Sequence, residues 1–188
     1  METLRRLIHI AGVSTIVLTE LVGKTGLSLI VLSTTVLYLI SEYLRLHGKH
    51  LPVITKITSL AARGDESSGW ILCPVSYAVG IMIAVNIFPE PVNYAAISVL
   101  TLGDGVSSLV GIKFGRHAIP YNRNKTFEGS ISCFLSSFFS ALIFVNPFAA
   151  FLGSIVGTFV ESLPTGCGEN IVVPTASGLC MSIPFLFM

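Results

Sequence analysis

The chain reads as an all-α membrane protein: a polytopic bundle of about seven transmembrane helices with its N-terminus in the cytoplasm. Three observations predict this. Of 188 residues, 52% are hydrophobic and only 11% charged, where a soluble domain carries about 25% charged residues. Apolar runs of the ~17–25 residues that a bilayer demands recur seven times. Ten of the eleven Lys and Arg residues fall on connections that seven passes put on one side. The hydrophilic segments are short and leave no soluble catalytic domain, so any chemistry happens at the membrane surface. Residues 1–188 are expected to form one integral membrane domain, with core motifs at about 101–129 and 157–174. A net charge of +1 indicates no particular partner, and none is expected among nucleic acids. Nothing in the pattern sets an oligomeric state.

The runs follow in order. Residues 7–23 begin almost at the N-terminus, but no small-residue cleavage motif stands out and many runs follow, so this is expected to be a retained helix and not a signal peptide. Residues 26–43, 70–88, 94–114, 127–145 and 147–163 make the next five spans. The seventh, 170–187, is interrupted by Pro174 and Pro184. Between the second and third runs, Val53, Ile54, Ile57, Leu60 and Ala61 share one helical face, with Thr55, Lys56, Thr58 and Ser59 on the other. Such a segment suits a short interfacial helix, either a ramp for lipid or a connection tucked on the bundle. Cys73, Cys133, Cys167 and Cys180 show no zinc-ligand spacing, and three of them lie in spans as small core residues. Neither a disulfide framework nor a structural zinc is expected. There is no internal repeat, low-complexity tract or long linker.

Charge fixes the orientation. Arg5 and Arg6, then Arg45, Lys49, Lys56 and Arg63, then Lys113, Arg116, Arg123 and Lys125 share one side, and Lys24 alone lies opposite. The positive-inside rule makes the basic side cytoplasmic. The third cytoplasmic connection, 163–170, has no Lys or Arg and is flanked by Glu161 and Glu169. One connection thus brings cations and the next carboxylates, a division that suits a metal–nucleotide complex. Ordinary topology signalling with solvated loop ends gives the same pattern.

Asp104 stands out inside the fourth run. A carboxylate at membrane depth costs roughly 2.5–3.5 kcal/mol on insertion scales, and such residues mark sites by default. Thr101, Ser107, Ser108 and Gly111 fall on its face, and Gly103 and Gly105 flank it. Glycines there weaken the helix and let backbone or ligand come close. One reading is a carboxylate aimed into a polar cleft, able to hold a hard cation such as Mg²⁺. The other is a packing face with a buried, hydrogen-bonded acid, since Gly111 and Gly115 have the spacing that promotes helix contact. The sixth run repeats the pattern with Ser154, Gly157, Thr158 and Glu161, and with Gly153 beside them.

Between the fourth and fifth runs, Gly115, Pro120 and Asn122 signal turns, and Lys125, Thr126, Glu128 and Gly129 open a helix. A helix N-terminus with nearby Lys and Arg suits phosphate. Thr126 also reads as a plain N-cap, with Glu128 favouring the helix dipole. His117 is either a base or a solvated loop histidine. No Walker A motif or dinucleotide glycine fingerprint is present, which excludes a P-loop kinase.

Three segments, GDGVSSLVGIKFG, IPYNRNKTFEGS and VESLP…ENIVVP, together resemble the lipid-alcohol kinases that include dolichol kinase, phytol kinase and the CTP-dependent diacylglycerol kinase. The opening Arg5-Arg6-Leu7-Ile8-His9-Ile10 and the stretch Arg63…Glu66-Ser67-Ser68-Gly69 add weaker likeness. The resemblance spans nearly the whole chain. It implies transfer of a nucleotide γ-phosphate, usually from CTP, to the hydroxyl of a membrane lipid, with a divalent cation. Asp104 matches the family's GD acid, Lys125 and Gly129 its K-x-x-x-G segment, Glu161 and Pro164 its E-x-x-P, and Asn170 and Pro174 its D-N-x-x-x-P. Glu169 departs from the pattern, standing one methylene longer where an Asp is common. On this resemblance Asp104, Glu161 and Lys125 are catalytic, and Asp104, Glu161, Glu169 and Asn170 hold Mg²⁺. Gly103, Gly105, Lys113, Arg116, Arg123, Lys125, Thr126 and Gly129 meet the nucleotide triphosphate. CTP in preference to ATP follows from the resemblance alone.

The expected acceptor is an isoprenoid alcohol, dolichol- or polyprenol-like or phytol-like, toward which the PYNRNK segment leans. Two alternatives stand beside the kinase. A membrane CDP-lipid cytidylyltransferase would use the same nucleotide and cation, though the long Lys-Asp…Pro-Gly-His-Gly-Gly signature is missing. An ion- or proton-coupled transporter would use Asp104 as its ion site, against which stand the lack of an inverted repeat and the clustering of polar residues toward one face.

Overall fold

A computed structural model of the chain describes residues 2–49, 51, 52, 54, 55, 58 and 69–184. The expected interfacial helix falls mostly outside the described residues, as do Arg63, Glu66, Ser67, Ser68 and the end of the seventh run. The chain is mostly helical: α1 Glu2–Ala11, α2 Ser14–Leu46, α3 Cys73–Ile87, α4 Val92–Ser98, α5 Asp104–Phe114, α6 Phe127–Ala141, α7 Pro147–Ser162 and α8 Glu169–Ser182. A π-turn, Val99–Gly103, joins α4 to α5. The all-α expectation misses one feature, an antiparallel hairpin of β1 Ala118–Ile119 and β2 Asn122–Thr126.

Ser14–Leu46 and Val92–Phe114 are long and apolar enough to cross a bilayer, and Cys73–Ile87 and Pro147–Ser162 are shorter apolar helices. α2 is not one rod. Gly23 leaves helical geometry at φ 74° and ψ 167°, a region that glycine enters without the penalty of a Cβ. Arg6 and Tyr38 line the same cavity, whereas an unbroken helix would hold them ~48 Å apart at ~1.5 Å per residue. The chain therefore doubles back. The second half of α2 runs antiparallel to α3: Asn86 Nδ2 donates to Ser28 Oγ at 3.0 Å near one end, and the Tyr38 hydroxyl donates to the Ile71 carbonyl at 2.7 Å at the other. Glu42, 2% exposed, holds the same segment by accepting the Ile71 N–H at 2.9 Å and pairing with Arg45 at 2.6 Å.

An apolar core that includes Leu27, Ile97, Leu100 and Met181 is shared with many buried polar residues. Ser98, Thr101, Asp104, Ser107, Ser137, Ser154, Glu161 and Ser177 are buried. Leu21 and Ile143 are each 75% exposed, in company with Val17, Leu29, Phe139 and Phe159. Buried polar residues together with a largely apolar outer surface suit a lipid exterior. Small residues bring the inner helices close: a side chain at Gly157 would meet Ser177 of α8 and Val99 of the π-turn. Much of the small-residue stripe of the sixth run is thus packing. α8 runs through Pro174 without a break. The proline cannot donate to the Asn170 carbonyl one turn back, and Gly80 of α3 packs against that carbonyl.

One expectation is overturned. Cys73 and Cys167 form a disulfide, with Cα atoms 5.0 Å apart across a sequence separation of 94. Spacing along the chain reveals local ligand sets, but not the meeting of the first turn of α3 with the connection before α8. Cys133 and Cys180 are free.

Candidate active site

Asp104 opens α5 directly after the π-turn and is 2% exposed. Single π-turns in helices recur at functional sites. His9 Nε2 lies 3.2 Å from Asp104 Oδ2 and 3.1 Å from the Leu100 carbonyl. Both neighbours accept, so Nε2 carries the proton and donates to them. Tyr77 fixes the histidine in turn. The rings are 4.2 Å apart, and the tyrosine hydroxyl donates to the His9 carbonyl at 2.7 Å. Ser108 Oγ donates to Asp104 Oδ1 at 3.5 Å, whereas the Thr101 hydroxyl turns back to the Ile97 carbonyl at 2.9 Å.

Lys125 comes from the hairpin, whose position is set from α7. The Ser162 hydroxyl donates to the Phe159 carbonyl, so the Tyr121 hydroxyl donates to Ser162 Oγ, at 2.7 Å. Asn122 Nδ2 donates to the Ser162 carbonyl at 3.0 Å. These bonds deliver Lys125 Nζ to three carboxylates from three elements: Glu161 at 2.5 Å, Glu169 at 3.0 Å and Asp104 at 3.7 Å. Burial alone would lower the lysine pKa, but Asp104, Glu161 and Glu169 outweigh it and hold the ammonium above its ordinary value. Glu161 is fully buried. Its Oε1 accepts from Ser107 Oγ at 3.0 Å, and its buried Oε2 has no hydrogen-bond partner among the described residues. The polar stripes of the fourth and sixth runs meet at this serine–glutamate contact.

Two cavities flank the cluster. The larger, of about 290 Å³, is lined by Ile8, His9, Tyr38, Ile71, Pro74, Tyr77 and Asp104, among others. The smaller, of about 130 Å³, is lined by Ser107, Ser108, Gly111, Asn124, Lys125, Thr126 and Gly129, among others. Arg6 and Glu169 line both. Thr126 caps α6 by accepting the Gly129 N–H at 3.1 Å, as its sequence position suggested.

The structure thus gathers Asp104, Glu161, Glu169 and Lys125, with Thr126 and Gly129 beside them. Other expected residues lie elsewhere. Gly103 and Gly105 line neither cavity and are closed off by Ser137 and Ile10, so their small size serves helix packing. Lys113, Arg116 and Arg123 are exposed and line neither cavity, and the Lys113 ammonium lies 5.3 Å from the Phe114 ring centre. Asn170 borders the larger cavity, but its amide donates to the Cys73 carbonyl at 3.3 Å and to Ser76 Oγ at 3.1 Å. His117 pairs with Glu128 at 2.6 Å on the surface.

Among the described residues, no three His, Cys, Asp or Glu side chains are grouped to hold a metal ion. The acids converge instead on the lysine ammonium. Their chemistry nevertheless fits Mg²⁺: hard carboxylate oxygens lie around one point, and the buried Glu161 oxygen lacks a partner. Arg6, His9 and Tyr77 were not singled out from sequence as site residues. The three- and four-residue spacing of Arg5, Arg6 and His9 was a usable signal, since it sets them on one face of a helix; Tyr77 offered none beyond being an aromatic in an apolar run.

Comparison with known proteins adds kinship. The chain is 38% identical over 128 residues to the probable phytol kinase 3, chloroplastic, of Glycine max, covering 58% of this chain and 40% of that protein. It is 32% identical over 147 residues to the probable phytol kinase 2, chloroplastic, of Oryza sativa subsp. japonica, covering 69% and 48%. It is 30% identical over 141 residues to the farnesol kinase, chloroplastic, of Arabidopsis thaliana, covering 65% and 46%. The chain spans about half the length of the curated relatives it matches. No family model and no solved structure matches it.

Proposed function

Since the chain is a relative of the plant phytol and farnesol kinases, we propose that it phosphorylates the hydroxyl of a membrane isoprenoid alcohol, with CTP as donor and Mg²⁺ as its cation. The observation that carries this reading is the convergence of Asp104, Glu161 and Glu169 on Lys125 between two cavities of unlike chemistry. Phosphoryl transfer asks for positioning and charge neutralisation more than for covalent help, and a cluster of this kind supplies both.

In the proposed mechanism the smaller cavity takes the donor phosphates. Lys125 leaves its carboxylates to pair with them, while the Gly111 and Gly129 backbone admits close approach. The larger, apolar-walled cavity takes the alcohol, with its hydroxyl toward Asp104. His9 holds Asp104 Oδ2, which leaves Oδ1 toward Lys125 and the incoming hydroxyl. Asp104, Glu161 and Glu169 would hold the divalent cation, with Asn170 at the margin, and the cation would neutralise the phosphate oxygens. The alcohol oxygen bonds to the γ-phosphorus as the bridging P–O bond breaks. Nucleoside diphosphate leaves with the electron pair, and the hydroxyl proton passes to the acids and then to water.

Seven passes with the N-terminus and active site facing the cytoplasm complete the proposal. The N-terminal Arg6, Ile71, the hairpin and Glu169 all border the cavities, while Lys24 pairs with Glu90 at 3.4 Å at the far turns. The positive-inside rule then names the side.

The test incubates membranes containing the chain with γ-labelled CTP or ATP and a panel of lipid alcohols. Label on an isoprenoid monophosphate, with nucleoside diphosphate released, is the expected result. Pyrophosphate release with a CDP-linked lipid would instead mark a cytidylyltransferase, and ion flux without label transfer would mark a transporter.

A further inference from the structure

We propose that Arg6 is a catalytic residue that grips the phosphoryl group as it crosses from donor to acceptor. The proposal rests on the kinase reading above. Among the described residues that line the smaller cavity, only Arg6 and Glu169 also line the larger one. Both therefore sit where the two cavities adjoin. Glu169 is an acid bonded to Lys125. Among the described residues Arg6 is the cation that borders both cavities; Lys125 borders the smaller alone, and Arg5 the larger alone.

The chemistry suits a guanidinium. In a loose transition state the charge spreads over three equatorial oxygens of the moving phosphoryl group. A planar fork of N–H donors binds two such oxygens at once and keeps its proton throughout. α1 is also held in register with the reacting groups. His9, three residues beyond Arg6, is bonded to Asp104 at 3.2 Å, and Tyr77 anchors its carbonyl at 2.7 Å. The new bond joins the alcohol oxygen to phosphorus, the bridging P–O bond breaks, and the diphosphate carries away the electron pair. Arg6 exchanges no proton or electron in the step. In sequence this arginine carried a topology signal and a share of the weaker family likeness, but its neighbours across the bundle are invisible there.

The test uses the full chain in liposomes and compares wild type, Arg6→Ala and Arg6→Lys by steady-state kinetics, with thermal melting to verify folding. Arginines that stabilise a transferring phosphoryl group are worth about 10³–10⁵ in turnover. Arg6→Ala should lower kcat by at least about a hundredfold, shift neither KM by more than about threefold, and regain activity with added guanidinium. Arg6→Lys should recover only part of the loss. Arg6→Ala with unchanged kcat, or a folded variant whose loss appears in KM alone or resists guanidinium, overturns the proposal. A wild-type chain that labels no alcohol defeats the kinase reading first, and this inference with it.

Discussion

Asp104 occupies a place where a carboxylate is costly, and its neighbours explain how it persists. His9 donates to one oxygen and Lys125 lies 3.7 Å from the other. Asp104→Ala should abolish phosphoryl transfer while leaving a folded, membrane-inserted chain; near-normal label transfer by that variant would reject the assignment. His9 offers a finer probe. Only its Nε2 is engaged with Asp104 and the Leu100 carbonyl, and a glutamine amide reaches about as far. His9→Gln should therefore retain more turnover than His9→Ala or His9→Asn, by about tenfold, the lower end of what partners of ligating groups are worth. Equal loss in all three would show that the ring itself is needed. Asp104 stood out in sequence because a carboxylate in an apolar run is costly unless used, and the family resemblance set Glu161, Glu169 and Lys125 beside it; the structure brings the four together. Gly103 and Gly105 were misread because a glycine that admits a neighbouring helix looks the same, in one dimension, as a glycine that admits a ligand.

The hairpin carries Lys125, so for the proposed chemistry its anchoring matters as much as the lysine itself. Asn122, 7% exposed, and Tyr121 fasten it to Ser162, the neighbour of Glu161. Asn122→Ala removes two hydrogen bonds, one to the Ser162 carbonyl and one from the Asn124 N–H, each worth about 1 kcal/mol in stability. Displacement of a reacting group by ~1 Å can cost about a hundredfold in rate. The variant should therefore lose at least about tenfold in turnover with only a small drop in melting temperature; a rate loss no larger than the stability loss would show that the tether is not needed for placement. Strands of two and five residues around Pro120 and Tyr121 are too short for alternation to declare them, so the sequence showed turns and a helix start but no pairing. By contrast, the reversal at Gly23 fell between two apolar runs and could be read at once.

At the scale of the molecule, the polar stripes turn inward beside an apolar core while many large apolar side chains also face outward, as the apolar runs foretold. Which ends share a side can be tested directly. Cysteines introduced at Lys24 and at Arg123, in a background without the native four, should react with a membrane-impermeant thiol reagent from opposite faces of sealed vesicles. Labelling of both from one face would undo the seven-pass reading. The Cys73–Cys167 bond was not foreseen, since each residue lies in a segment whose local pattern gives no hint of the other.

Three carboxylates share one lysine at the centre of the bundle, with Arg6 at their edge. On the proposed reading, a bare nucleotide, itself a polyanion, would meet those acids on arrival. The same nucleotide escorted by a divalent ion would give the acids a cation and set the lysine free for the phosphates. On that reading the ion is part of what the site admits, and chelator should abolish nucleotide association and not merely slow the later chemistry.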